Sequence, residues 1–176
     1  MYGRVTGVAI LGVRGRPIVV EAYVGRGLPS LTLTGLPGAA VQDARDRVKP
    51  AVESAGLTWP LRRVVVNLAP GNVRKEGPGL DLAVATSVLV ATAQLAQDRL
   101  EGWAFAGELS LRGALVSTPG ILSVAIAAVR AGCRGVVVPA ANGAEAALVE
   151  GLEVAAASSL GDVAGFFRGT WRPPAV

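Results

Sequence analysis

Along this chain the apolar positions alternate with polar ones, then recur at helical spacing, then alternate again, and the switches in period mark the elements. The first 35 residues read as three strands, RVTGVAILGV, PIVVEAYV and SLTLTG, separated by turn signals at residues 14–17 and 25–29. The period of two is clearest where Leu31 and Leu33 interleave with Thr32 and Thr34. From Pro37 the apolar positions become Val41, Ala44, Val48, Val52 and Ala55, the stripe of an amphipathic helix. Asp43, Arg45, Asp46, Arg47 and Lys49 fall on its other side. Pro50 is expected to kink or restart this helix, because proline has no N–H to donate, and Gly56 closes it.

LRRVVVNLAP is a continuous β-branched run that suits a buried strand. A glycine-rich turn, RKEGPGLD, then opens a helix over residues 78–95. WAFAGELSLRGALV reads as two short strands, GILSVAIAAVRAG as an apolar helix ended by Gly132, and RGVVVP as a second buried strand. Asn142 with Glu145, and Ser159 with Asp162, have the spacing of capping boxes opening two last helices, with the strand LEVAAA between them. Strands and helices in this order predict one α/β domain over residues 1–168, a mixed sheet with packed helices. The tail GTWRPPAV, residues 169–176, reads as a linker toward a further domain, since Pro173 and Pro174 cannot continue a helix and Trp171 suggests a contact farther along.

The sequence holds 176 residues, 51% of them apolar and 5% aromatic, so the core is built from Val, Leu, Ile and Ala. Histidine is absent, which removes His-based triads and imidazole metal sites. The single cysteine, Cys133, allows neither an internal disulfide nor a zinc cluster, and points to an intracellular, cytoplasmic protein. No metal site is expected. The uncharged run at residues 82–97 carries Thr86, Ser87, Thr92 and Gln94 and falls short of the roughly 20 residues a bilayer requires, so it reads as a buried helix. The net charge of +4 is uneven: residues 1–88 hold eleven basic and six acidic groups. A basic half invites a polyanionic partner.

The turn at residues 74–81 does not satisfy a nucleotide-binding motif. A Walker loop needs G-x-x-x-x-G-K-[ST]. Here Gly71 and Gly77 are six apart, Pro78 follows, and Lys75 precedes the glycine. The dinucleotide pattern fails too, because Leu82 stands where its third glycine belongs. By residue type alone, Gly77 and Gly79 serve a tight turn and Asp81 complements a helix N-terminus.

The stretch KEGPGLD, followed by GELSLRG, resembles the peptidase domain of the Lon family, whose serine nucleophile lies on the turn and whose base lysine lies on the helix after the second motif. Gly79 stands at that serine position and Val124 at that lysine position, so the resemblance implies a peptidase shape without its dyad. A more extensive resemblance covers nearly the whole chain. LPSLTLTGLP, QDARDRV, RRVVVNLAP, KEGPGLDLAVA, AGELSLRGALV and AAVRAGCRGVVVPAAN with EAALVEGLEV are similar to the N-terminal domain of the ComM/YifB branch of magnesium-chelatase-like AAA+ ATPases. That resemblance implies a Lon-peptidase-like fold related to domain 2 of a small-subunit ribosomal protein. It also implies an AAA+ motor beyond residue 176 carrying ATP and magnesium, with no cofactor in this chain. The family's activity is that of a hexameric DNA branch-migration helicase serving natural transformation.

On this reading the chain has no enzyme activity of its own. Its partners are the AAA+ domain of the same protein, further copies in a hexamer, and DNA, bound weakly by the isolated domain; no membrane is involved. The candidate DNA-binding residues are Arg62, Arg63, Arg74 and Lys75. The structural motif comprises Gly77, Pro78, Gly79, Asp81, Glu108 and Arg112, the last two as an ion pair along one strand. Two other readings stand beside it. One is a residual serine peptidase using Ser87, Ser110 or Ser123 with Lys75; the other is a protein-interaction module of a chelatase-like machine that does not act on DNA.

Overall fold

A computed structural model describes residues 1–35 and 37–176; Leu36, inside one of the stretches quoted above, lies outside the described residues. The strands β1 (Tyr2–Leu11) and β2 (Arg14–Gly25) form a long antiparallel hairpin. After β3 (Ser30–Thr34) come the helices α1 (Ala39–Gln42) and α2 (Ala44–Ser54), then β4 (Arg63–Ala69). A 3-10 turn, Pro78–Leu80, leads into α3 (Asp81–Ala91), which is followed by α4 (Gln97–Leu100) and β5 (Trp103–Phe105). The remaining elements are β6 (Glu108–Leu109), β7 (Leu115–Val116), α5 (Ile121–Arg130), β8 (Gly135–Pro139), a second 3-10 turn (Ala140–Asn142), α6 (Gly143–Ala146), β9 (Glu153–Ala157) and α7 (Leu160–Arg168).

Seven strands make one sheet in the order β3-β4-β2-β1-β5-β8-β9, and β6 pairs with β7 apart from it. The sheet is mixed. β2 is antiparallel to β1 and β4, whereas β3 runs parallel to β4, and β1, β5, β8 and β9 are mutually parallel. Alternation along each strand sends one set of side chains to each face. On one face Ile18, Val20, Ala22, Val24, Val64, Val66 and Leu68 pack with α2, α3 and α7 in the larger core cluster. Every residue of α3 is buried, which explains its nearly uniform apolar composition. On the other face α5 and α6 cover Val8, Ala104, Val136, Val138 and Ala156 in a smaller cluster.

The structure revises several local expectations. Pro50 sits inside α2 without breaking it, and the break falls at Asp43 instead. The carbonyl freed by proline belongs to exposed Asp46, where water can replace the missing donor. The helix expected over residues 78–95 ends at Ala91, because Ala93 takes a positive φ of 58° and the amides of Gln94 and Leu95 both turn back to Leu89 O. WAFAGELSLRGALV forms three short strands, not two. Ser159 caps α7 as its spacing indicates, accepting from Asp162 N at 3.0 Å. Asn142 stands at the N-cap of α6, yet its side chain bonds no main-chain amide there: it bonds Thr118 and donates to Glu145 Oε1 at 3.3 Å. In the tail, Trp171 packs half-buried against the chain's own core.

Candidate functional site

The glycine turn and the second motif meet in space through main-chain bonds. Gly107 N donates to Gly79 O at 2.9 Å, and Leu82 N donates to Gly107 O at 3.1 Å. Gly77 has a φ of 77°, so glycine is needed there to enter the 3-10 turn. Asp81 then performs more than the helix-end role expected of it. It is buried, and Arg47 of α2 grips it from Nε at 2.8 Å and from a terminal nitrogen at 2.9 Å. Leu109 N adds a third bond at 3.0 Å, so one carboxylate pins α2, α3 and β6 together. Burial raises the Asp81 carboxyl above its ordinary value against the pull of Arg47, and the same contact holds Arg47 more firmly protonated. Arg47 was not among the residues singled out from sequence as functional: it sits on the polar side of its helix stripe, and no spacing rule links it to an acid 34 residues on.

Gly79 and Val124, the two positions that the resemblance to the Lon family assigns to the dyad, line a single cavity of about 370 Å³. Its walls include Val8, Ile10, Leu80 and Thr118. A Cβ added at Gly79 would meet only the Thr118 methyl, at 3.4 Å, so the backbone leaves room for a larger residue there. Thr118 is itself fixed. Its N–H donates to Asn142 Oδ1 at 3.0 Å, Asn142 Nδ2 returns a bond to Thr118 O at 3.1 Å, and the Thr118 hydroxyl accepts from Glu108 N at 3.3 Å. The arrangement can enclose a small apolar group, and Gly79 and Val124 bring neither hydroxyl nor amine to it.

Lys75 does not face solvent, which corrects its placement among the DNA-binding residues. It is fully buried, and its ammonium donates at 2.6 Å to each of the carbonyls of Gly35, Pro70 and Val73. A lysine has three N–H donors, and here all three are used. Burial pushes this ammonium below the ordinary lysine value, and the three carbonyls are what favour keeping its proton. Ser87, Ser110 and Ser123 are equally committed elsewhere: Ser87 Oγ donates to Val84 O, Ser110 Oγ accepts from Ala114 N, and Ser123 Oγ donates to Val13 O. Among the described residues none of the three bonds Lys75.

The expected ion pair of Glu108 with Arg112 is absent among the described residues. β6 stops at Leu109 and the chain turns back through Gly113, so the two side chains do not share a strand. Arg62 and Arg63 are both exposed and, with Arg26, border a shallow depression of about 450 Å³ beside Tyr23. Arg26 was not singled out because it follows β2 in a turn, and only the β2–β4 pairing brings it to Arg63. Arg74 is also exposed but pairs with Glu76. It lies past the far end of β4, roughly 20 Å along the strand from Arg63 at about 3.3 Å per residue. The sequence-predicted DNA set is thus split into two exposed arginines at one end, one at the other, and a buried lysine.

The sequence model of the family described as subunit ChlI of Mg-chelatase matches residues 20–142, well over half the chain. The chain belongs to this family. Among ChlI-family relatives, the uncharacterized protein YifB of Salmonella typhimurium is 41% identical over 161 residues, which is 92% of this chain and 32% of YifB. The competence protein ComM of Haemophilus influenzae is 35% identical over 166 residues, 94% of this chain and 32% of ComM. A fainter likeness, 29% over 147 residues, reaches the Lon protease of Geobacter metallireducens, covering 80% of this chain and 18% of that protease. The chain therefore spans about a third of the length of the ComM/YifB relatives it matches. The mixed sheet with packed helices agrees with the Lon likeness, and the glycine turn and second motif form the meeting point described above. Among the described residues no helix is long and apolar enough to cross a membrane.

Proposed function

We propose that this chain is the non-catalytic scaffold and DNA-engagement domain of a ComM-like AAA+ ATPase, acting beside a motor that binds ATP and magnesium and assembles as a hexamer. The observation that carries the reading is the gathering of Arg26, Arg62 and Arg63 around one depression whose lining, among the described residues, includes no acidic side chain. Such a cluster suits a phosphate backbone, since guanidinium groups bind phosphate oxygens with paired donors. The competence name carried by ComM is in keeping with a role in handling DNA. Catalysis within the domain is disfavoured by Gly79 and Val124 at the dyad positions and by the commitment of Lys75 to main-chain carbonyls.

Three exposed arginines predict weak, salt-sensitive binding by one domain and much stronger binding when a ring presents several copies. The test is fluorescence anisotropy of labelled DNA against the 176-residue chain across a salt series. Replacing Arg62 and Arg63 together by alanine should flatten the log-log slope by up to about two units on duplex DNA. An unchanged slope would show that this end of the sheet does not meet nucleic acid and would leave a protein-interaction role as the better account.

A further inference from the structure

We propose that the uncovered half of the large sheet is a platform for single-stranded nucleic acid, with bases stacked on Tyr2 and Tyr23 and phosphates held by the arginines around them. The inference rests on the nucleic-acid reading above and adds to it the surface and the strand form. It starts from the helices. α5 and α6 cover the sheet face formed by β5, β8, β9 and the far part of the β1–β2 hairpin, and among the described residues no helix packs on the same face of β3, β4 and the near part of the hairpin. Strand register shows what that bare half presents. Tyr2 lies opposite Tyr23, Tyr23 opposite Val65, and Val65 opposite Thr32; the next rank is Arg4, Glu21, Asn67 and Thr34. All alternate with residues of the buried core, so they point away from it.

Tyr2 and Tyr23 are 58% and 54% exposed, far more than a ring needs if its only role is packing. Each is also held in place. A Cβ on Gly25 would sit 2.7 Å from the Tyr23 ring, so that ring lies along its strand over the bare glycine backbone. Tyr2 OH donates to Glu21 at 2.7 Å, Asn67 Nδ2 donates to the other Glu21 oxygen at 3.2 Å, and Thr34 Oγ1 donates to Asn67 Oδ1 at 2.8 Å. This row crosses four strands and occupies both oxygens of Glu21, the one acid on the face among the described residues. Against that acid stand four guanidinium groups: Arg4 beside it, Arg63 at the head of β4, and Arg26 and Arg62 around the depression that Tyr23 borders.

Held aromatic rings on an open sheet, flanked by arginine, match the chemistry of an unstacked strand, whose bases offer free faces and whose phosphates offer charge. A duplex keeps its base faces inside its own stack and leaves the rings unused. An acidic peptide satisfies the arginines but not the rings, and the face offers it few apolar anchors, chiefly Val19 and Val65.

The experiment measures anisotropy of fluorescein-labelled oligothymidine, a duplex of equal length, and an abasic strand with the same number of phosphates, each with the 176-residue chain. Oligothymidine should bind roughly tenfold or more tighter than the abasic strand, the scale of one or two base–aromatic contacts. A Tyr2→Leu, Tyr23→Leu double variant, checked as folded by its thermal transition, should lose that preference and keep the abasic affinity; the Tyr2→Phe, Tyr23→Phe pair should retain it. Equal binding of oligothymidine by the leucine variant and the parent chain, or tighter binding of the duplex, would overturn the platform. If the Arg62, Arg63 alanine variant still flattens the salt slope in that case, the broader reading survives alone. If the unmutated chain binds none of the three strands, both fail.

Discussion

Replacing Lys75 by methionine isolates what a buried ammonium does in a chain where the same residue, seen only as sequence, looks like a surface cation. Methionine keeps most of the stem and removes the three donors. Three carbonyls then lose partners at 2.6 Å, that of Val73 in a fully buried site and those of Gly35 and Pro70 where burial is partial. Bonds from a charged donor contribute about 1.5–3 kcal/mol each in mutational series, and the relief from no longer burying a charge offsets part of their sum. Because water can reach two of the carbonyls in the variant, the expected loss is about 3–5 kcal/mol, the range found when one partner of a buried charged contact is removed. Urea unfolding followed by tryptophan fluorescence reads this directly. With a slope of about 2 kcal/mol per molar, the midpoint falls by roughly 1.5–2.5 M. A midpoint within about 0.3 M of the parent chain at unchanged slope would refute the clamp and return Lys75 to the surface role its sequence context suggests.

Three further outcomes follow from the same geometry. Since Lys75 holds its proton less firmly folded than unfolded, the unfolded state binds more protons between the lowered value and the ordinary one; stability should therefore rise with pH across that window, and the difference between the parent and Lys75→Met in urea midpoints from pH 7 to 10 should show it. Arg47→Ala leaves Asp81 buried without its bidentate partner and should cost about 3–5 kcal/mol, with a smaller loss when Asp81→Asn is added, measured as a double-mutant cycle. Gly79→Ser should change stability by less than about 1 kcal/mol, because the new Cβ meets only a methyl at van der Waals distance, whereas Val124→Lys should cost several kcal/mol by burying an unpaired ammonium; thermal unfolding of the two single variants separates them.

Elements with a strong period were legible without coordinates. The strands SLTLTG and RGVVVP, the α2 stripe Ala44, Val48 and Val52, and the Ser159 cap all appear where their patterns put them, while Val41 falls in the separate turn of α1. What failed to show in the sequence depends on partners distant along the chain. Lys75 bonds a carbonyl 40 residues earlier, and Asp81 an arginine 34 residues earlier; nothing local distinguishes a buried cation from a solvated one. Asn142 has the spacing of a cap, yet its side chain serves Thr118, because a tertiary amide-to-main-chain pair satisfied it first. The open sheet face was hidden for a related reason. Tyr2 and Tyr23 become neighbours only through the hairpin register, and whether a strand face is bare depends on which helices cross it.

The strand order also sets a timetable for synthesis. β1 lies at the centre of the sheet, with β2 on one side available almost at once, but its other neighbour is β5, where Thr6 pairs with Ala104, nearly one hundred residues later. At about 5–20 residues per second, a ribosome takes roughly 5–20 s to cover that distance. Throughout that interval the hairpin presents an unpaired edge in the middle of what will become the sheet, the kind of edge that recruits strands from neighbouring chains. A nascent chain stalled before Trp103 thus carries half a sheet whose open edge is the central strand β1, while one released after Ala157 has paired β1 with β5 and moved that edge out to β9.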